Sequence, residues 1–186
     1  RCVDFTNGGV DIVCADSIDA RGDINLNGNW IEIADVVMFT NYFVTGLGAF
    51  GTHVAGSVAA SDVNADGITL SVADLVYAIR VVVGDVLAFA KLDVVNLTYG
   101  YENGVLSVEN TELGAAYVVV AGNVTPTLLV NDVSMSYAFD GVNTRILVYP
   151  TFEGNTSNHI TGFTGNFLQF EGEIVSYEMA TVDGAM

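Results

Sequence analysis

The sequence predicts an α+β multidomain protein, in which a small helical module with two metal-binding loops precedes an antiparallel β-sandwich. Two observations predict this division. Asx-rich loops that lead into apolar helical patterns occur twice before residue 87. From about residue 88 onward, short alternating runs separated by Gly and Asn replace the helical pattern. We therefore divide the chain into an N-terminal hairpin or strand segment (1–14), a duplicated loop-helix module (15–87) and a β-sandwich (88–186).

The composition limits the classes of function. The chain has 186 residues, 51% of them hydrophobic, and its 22 acids against 5 bases give a net charge of −17. A strongly negative surface repels nucleic acid and anionic membranes and attracts divalent cations. No apolar run reaches the roughly 20 residues that a membrane helix needs. The composition indicates a secreted, extracellular or cell-surface protein that binds no nucleic acid and has no membrane span.

The N-terminal segment contains both cysteines, Cys2 and Cys14, on either side of an Asn-Gly-Gly turn sequence. A hairpin at this turn would place the two thiols opposite each other, so we predict a disulfide formed in an oxidising compartment. Two reduced, buried thiols are the alternative. Secretion would also make the three Asn-x-Ser/Thr sequons possible glycosylation sites, and these begin at Asn96, Asn123 and Asn155.

The helical module is an internal duplication without gaps, in which Asp23 aligns with Asp62 and Gly28 with Gly67. In each copy Asp and Asn side chains alternate, a Gly follows, and another Asp begins an apolar helix. Alternating oxygens in a tight loop face one cation, Gly permits the bend, and the last Asp closes the cage. The pattern predicts one Ca²⁺ in each loop. A turn that only caps a helix is the alternative for a single copy, and the duplication disfavours it.

Each loop supplies a similar set of candidate ligands. In the first loop these are Asp23, Asn25, Asn27, the Asn29 carbonyl, Glu32 and Asp35. In the second loop they are Asp62, Asn64, Asp66, the Ile68 carbonyl, Ser71 and Asp74. Both loops are one position longer than the usual calcium loop, so we expect an extra residue between the Gly and the closing Asp. The second loop should bind more tightly unless Glu32 reaches the ion in the first.

Two calcium loops in close succession, each followed by a single helix, resemble the dockerin module. The resemblance rests on the sequences DINLNG and DVNADG and covers about residues 15–87. It implies folding on Ca²⁺ binding and docking onto a cohesin partner. The family usually has a hydroxyl pair just before the closing Asp, where this chain has Ile33-Ala34 and Val72-Ala73.

The second half of the chain contains about eight short alternating runs, which predict the strands of a β-sandwich. These runs are Leu92–Tyr99, Val105–Glu109, Ala116–Ala121, Thr127–Val130, Ser134–Phe139, Arg145–Tyr149, Gly165–Phe170 and Ile174–Ala180. The stretch TGNFLQFEGEIVSYEMATVDG is similar to the late strands of cohesin, so the sandwich is expected to be cohesin-like or immunoglobulin-like.

The residues indicate a protein that is not an enzyme. Its two histidines stand in polar or Gly-rich loops, and no nucleophile elbow or phosphate-binding Gly loop is present. The two helices after the loops are apolar on all sides, so the other half of the chain or a second subunit must cover them. We predict a calcium-dependent structural protein that self-associates head-to-tail into a filament, tube or surface layer. The alternatives are a cellulosome-like component that docks on a separate cohesin scaffold and a carbohydrate-binding module.

Overall fold

The computed structural model describes residues 21–87, 97–151 and 160–184. The helices of these residues are α1 (Ile33–Thr45), α2 (Val54–Ala60) and α3 (Val72–Val83), with a 3-10 helix at Gly46–Phe50. The strands are β1 (Tyr99–Glu102), β2 (Val105–Ala121), β3 (Thr127–Leu128), β4 (Val133–Phe139), β5 (Asn143–Pro150), β6 (Phe163–Gln169) and β7 (Ile174–Thr181). The predicted α+β class, with helices first and an antiparallel sheet second, is confirmed.

Several predictions fall on residues outside those ranges. They are the Cys2–Cys14 disulfide, the sequons at Asn96 and Asn155, and most of the predicted strand at 92–99. The other predicted strands all correspond to observed ones, with boundaries that differ by a few residues. One difference is larger, because the predicted strands at 105–109 and 116–121 are parts of the single strand β2.

The sheet is organised around β2, which pairs antiparallel with four other strands. Its first part pairs with β1 and β6, and its second part pairs with β5 and β7. The register shifts between Val108 and Leu113, and Asn110 in this interval has a φ of 59°. β3 continues the first part of the sheet beyond β6, and β4 continues the second part beyond β5. An irregularity in the middle of β2 therefore separates two halves of the sheet.

The second half of the sheet has a core on each face, because successive side chains of a strand point to opposite sides. On one face, Val118 and Ile146 pack in a buried cluster with Leu106 and Phe167 from the first half. The two halves of the sheet therefore enclose this cluster, which we call the sheet core. On the other face, residues such as Ala115 pack against the helices. We call this second cluster the helix–sheet core.

The buried faces of α1 and α3 pack against the sheet of the same chain, which is one of the two possibilities that their apolar sequences indicate, but α1 also leaves Ile33 and Val37 exposed. Leu75, Val76 and Ile79 of α3 are fully buried in the helix–sheet core. In α1, Phe43 packs edge-on against Tyr117 of β2, with ring centroids 5.1 Å apart. The segment from α1 to the end of the 3-10 helix is long and apolar enough to span a membrane by composition alone. In this structure it contributes its buried face to the helix–sheet core instead.

The helical layer and the sheet are in very close contact at Gly114 of β2. A Cβ atom at this position would lie 2.7 Å from the Thr181 carbonyl oxygen and 2.9 Å from Val76 Cγ1. Real Cβ atoms do not approach other atoms this closely. Glycine therefore allows β2 to lie against both β7 and α3, and this packing places the second Asx loop beside the sheet.

Candidate metal centre

The two Asx-rich loops have the same backbone conformation. Both contain a residue of positive φ at each of three equivalent positions. These are Leu26 (59°), Gly28 (90°) and Ile31 (54°) in the first loop, and Ala65 (60°), Gly67 (91°) and Leu70 (62°) in the second. Residues other than Gly rarely adopt positive φ, yet Leu26 and Ala65 share it, and so do Ile31 and Leu70. The duplication therefore extends to the folded backbone. Ile31 and Leu70 lie between the Gly and the closing Asp, where the sequence predicts an extra residue.

The alternating Asx side chains are held by backbone donors two residues further along the chain. These bonds run from Asn27 N–H to Asn25 Oδ1 (2.9 Å), Asn29 N–H to Asn27 Oδ1 (2.8 Å), Asp66 N–H to Asn64 Oδ1 (2.9 Å) and Ile68 N–H to Asp66 Oδ1 (2.7 Å). Each oxygen keeps a second lone pair. The side-chain oxygens of both loops are therefore oriented by the protein and retain the capacity to bind a cation.

The closing aspartates, Asp35 and Asp74, are completely buried at the starts of α1 and α3. Oδ1 of each accepts a hydrogen bond from across its loop, from the Asn25 N–H at 3.0 Å or the Asn64 N–H at 3.1 Å. Oδ2 of each accepts from the residue before the helix, with the Glu32 and Ser71 N–H groups at 2.9 and 3.1 Å. Both closing side chains therefore tie the loop to the first turn of the following helix.

Burial of these carboxylates without a cation is unfavourable. Burial raises the pKa of Asp74 to about 7, and the negative charge of Asp66 adds to this increase. Burial likewise raises the pKa of Asp35, with a further contribution from Asp23. A raised pKa means that the folded protein disfavours the charged form. Each loop thus brings acidic side chains together in a place where a cation would stabilise them.

The first aspartates of the two loops differ in their hydrogen bonds. Asp23 accepts from the Asn27 and Gly28 N–H groups, both at 2.9 Å, with one bond to each oxygen. Asp62 Oδ1 is buried and has no hydrogen-bond partner, and no other buried side-chain nitrogen or oxygen of the described residues shares this property. A buried oxygen without a partner costs about 1–3 kcal/mol. Asp62 Oδ1 is therefore a buried oxygen that remains available to bind a cation.

Glu32 extends over the first loop. Its Oε1 accepts from Nδ2 of Asn25 at 3.4 Å and from Nδ2 of Asn27 at 2.5 Å. Glu32 is therefore in contact with two of the candidate ligands of the first loop. The equivalent residue in the second loop, Ser71, makes different side-chain contacts. Its hydroxyl donates to Asp74 Oδ2 at 2.7 Å and accepts from the Asp74 N–H. Ser71 is the N-cap of α3 in this structure.

Two contacts beside the loops are absent from the sequence-based predictions. Ser61 Oγ accepts from the Leu70 N–H at 2.9 Å, which closes the second loop at its base. Glu178 of β7 accepts from the Val72 N–H at 3.3 Å, at the start of α3. The serine adjoins the loop and could have been noticed as a polar neighbour. The glutamate is far from the loop in sequence, and nothing near it indicates this contact.

Carboxylate groups alone do not define a metal site here. Within residues 21–87, 97–151 and 160–184, no three His, Cys, Asp or Glu side chains form a group that could hold a metal ion. The candidate sites depend instead on a mixture of carboxylate, amide and backbone oxygens.

Of the three sequons, the one at Asn123 is described, and Asn123 is exposed in a bend after β2.

Comparisons with known proteins do not extend these observations. No family model, no curated protein and no solved structure matches the chain.

Proposed function

We propose that each Asx loop binds one Ca²⁺ and that the chain is a secreted, calcium-dependent, non-catalytic assembly protein. The observation that carries the proposal is the buried, unpartnered Asp62 Oδ1 in a loop whose backbone conformation is repeated in the first loop. A bound cation would be the missing partner of this oxygen. It would also stabilise the ionised form of the buried Asp74, whose pKa is raised to about 7 without it.

The chemistry of the candidate ligands favours Ca²⁺ over other divalent ions. Both loops offer carboxylate, amide and carbonyl oxygens, and neither offers a thiol or an imidazole. Ca²⁺ takes six to eight such oxygens in flexible arrangements, whereas Zn²⁺ prefers nitrogen and sulfur. The repeated loop, with its closing Asp in the first turn of α1 or α3, supports the proposal of a dockerin-like module, and we further propose that the sheet is the cohesin-like sandwich joined to it.

Self-association is supported by the outer edge of β4. Among the described strands, β4 pairs only with β5, so none of them occupies its other edge. The strand has no charged residue, and Tyr137 and Phe139 are 45% and 44% exposed. In a chain with a net charge of −17, an uncharged edge is where a second copy meets least repulsion. We propose that the next copy adds a strand here, in a head-to-tail contact that continues as a filament or tube.

A second candidate function is docking onto a separate β-sandwich scaffold through α1. The helix exposes a stripe without charge, which comprises Ile33, Ala34, Val37 and Asn41. In the dockerin resemblance, Ile33 and Ala34 occupy the positions of the recognition hydroxyls. An apolar and amide stripe would suit a partner that is itself apolar at this position.

Sedimentation velocity and negative-stain electron microscopy, at millimolar Ca²⁺ and after chelation, test the proposed assembly. We expect polymers with Ca²⁺ that disappear on chelation. Tyr137→Lys should abolish them, because a lysine on an edge strand opposes strand addition. Val142→Lys is the matched control, since Val142 is 72% exposed in the turn after β4 and should leave assembly intact. Monomers under all conditions would refute self-association and favour docking on a separate partner.

A further inference from the structure

A single acidic side chain connects the sheet to the second Asx loop. Glu178 of β7 pairs in register with Tyr117 of β2, so both side chains lie on the face of the sheet that the helices cover. Its carboxylate accepts a hydrogen bond from the Val72 N–H at 3.3 Å. Val72 is the first residue of α3 and directly follows Ser71 of the second loop.

The surroundings of Glu178 place it at a junction of three elements. Burial raises the pKa values of Tyr42 in α1 and Tyr117 in β2, and the charge of Glu178 contributes a further increase in both. The carboxylate is therefore close to α1 and β2 as well as to α3. Negative charge is favourable at this end of a helix, where N–H groups have no partner within the helix.

Water cannot easily replace this contact. Val72 is fully buried, so loss of the carboxylate would leave its N–H group without a partner inside the protein. The first turn of α3 would then have to move or open in order to reach another acceptor. That turn also contains Asp74, whose two oxygens bind the Asn64 and Ser71 N–H groups of the loop. A change at Val72 would consequently disturb the closing residue of the second loop.

We propose that Glu178 is a positioning residue for the second loop, and that it couples Ca²⁺ occupancy of this loop to the helix–sheet packing. The inference rests on the proposed Ca²⁺ binding. The inference predicts that only the second loop depends on a carboxylate of the sheet. Within the described residues, no such carboxylate bonds to the first turn of α1. The residue equivalent to Val72 is Ile33, which is 62% exposed. Ca²⁺ binding at the first loop should therefore be independent of Glu178.

The test is a Ca²⁺ titration of the full chain, followed by nuclear magnetic resonance at the amides of Gly28 and Gly67. These glycines occupy the same position in the two loops and report each loop separately. In the Glu178→Met variant, which keeps the length of the side chain but removes the acceptor, we expect the affinity at Gly67 to fall about tenfold. The affinity at Gly28 should stay within about twofold of its original value. Glu178→Gln keeps an acceptor oxygen and should restore most of the affinity at Gly67.

The outcomes separate this inference from the proposed function. If Ca²⁺ moves neither glycine signal in the unmodified chain, the proposed Ca²⁺ binding is wrong and the inference fails with it. If both signals titrate and Glu178→Met changes both affinities equally, or neither, Glu178 has no special link to the second loop while Ca²⁺ binding stands.

A second pair of variants provides the same test if Glu178→Met does not fold. Val72→Pro removes the donor N–H at the first helical position, where proline is well tolerated. Ser71 before it already has the extended conformation that proline requires, with φ of −86° and ψ of 156°. Ile33→Pro is the control, since Glu32 is likewise extended. Weaker binding at Gly67 in Val72→Pro, with unchanged binding at Gly28 in Ile33→Pro, supports the inference, and equal effects overturn it.

Discussion

Replacing the first aspartate by asparagine should destabilise the Ca²⁺-free protein in the first loop but not in the second. Asp23 uses both oxygens as acceptors, at 2.9 Å each, so Asp23→Asn loses one bond to a charged group, which is worth about 2 kcal/mol. For a chain of this size we expect a decrease in Tm of about 4–8 °C. Asp62 Oδ1 has no partner, so Asp62→Asn buries a neutral oxygen in place of a charged one. Its Tm should stay unchanged or rise by about 2–4 °C.

Addition of Ca²⁺ should reverse the advantage of the Asp62→Asn variant. Saturation at about 100 times the Kd stabilises a protein by about 2.7 kcal/mol per site. The Asp62→Asn variant should lose the part of this stabilisation that comes from Ca²⁺ in the second loop. Differential scanning calorimetry in chelator and in Ca²⁺ measures both effects. Equal shifts of the two variants in chelator would refute the argument from hydrogen bonds. A full Ca²⁺ response in Asp62→Asn would show that Asp62 is not a ligand.

Three further predictions test other parts of the structure. In chelator, thermal unfolding should show that stability falls as pH rises from 3.8 to about 7. The raised pKa of buried Asp74 makes the folded state hold a proton that the unfolded chain releases. Ca²⁺ should remove this decline, and a flat profile in chelator would contradict the prediction. Trp30, the single tryptophan of the chain, lies in the first loop and should sensitise the luminescence of Tb³⁺ bound there. This luminescence should be lost in Asp23→Ala and retained in Asp66→Ala. Loss in both variants would argue against separate sites. Denaturant unfolding should show that Gly114→Ala destabilises the protein by about 1–3 kcal/mol through overpacking. Gly48→Ala is the control, because a Cβ at Gly48 meets nothing within 4 Å. It should change the free energy of unfolding by less than about 0.5 kcal/mol.

Local patterns were sufficient to predict the loops and most of the strands. The alternation of Asp and Asn before Gly28 and Gly67 fixes a turn whose oxygens are held by nearby backbone donors, and those bonds are visible in the structure at both copies. In the same way, alternation of apolar and polar residues predicts β4 and β5, because one face of each strand packs in a core.

The differences from the sequence-based predictions arise where tertiary contacts decide the structure. Asn110 and Gly114 resemble turn residues, yet β2 continues through both, with Asn110 in a left-handed conformation and Gly114 pressed against β7. The helix α2 (Val54–Ala60) was not predicted, and its first three residues belong to the Gly-rich loop predicted around His53. Its Gly56 would place a Cβ 2.7 Å from Leu26 Cδ1, so glycine allows this helix to pack against the first loop. Neither contact has a signal in the local sequence.

The sequence predicts which polar residues belong to the two loops, but it does not predict their individual contacts. Asp35 and Asp74 lie in the first turns of α1 and α3, and Glu32 extends over the first loop. The hydroxyl of Ser71 instead bonds to Asp74 in the first turn of α3. The unpartnered oxygen of Asp62 depends on burial by the folded chain, which no local pattern contains.

Isothermal titration of Ca²⁺ into the chelator-treated full chain tests the central claim most directly. The two equivalent loops predict saturable binding of two ions per chain, and one ion per chain in the Asp66→Ala variant, which removes a carboxylate of the second loop only. Absence of saturable binding to the unmodified chain, or the same stoichiometry in the variant, would contradict the proposal that these loops are calcium sites.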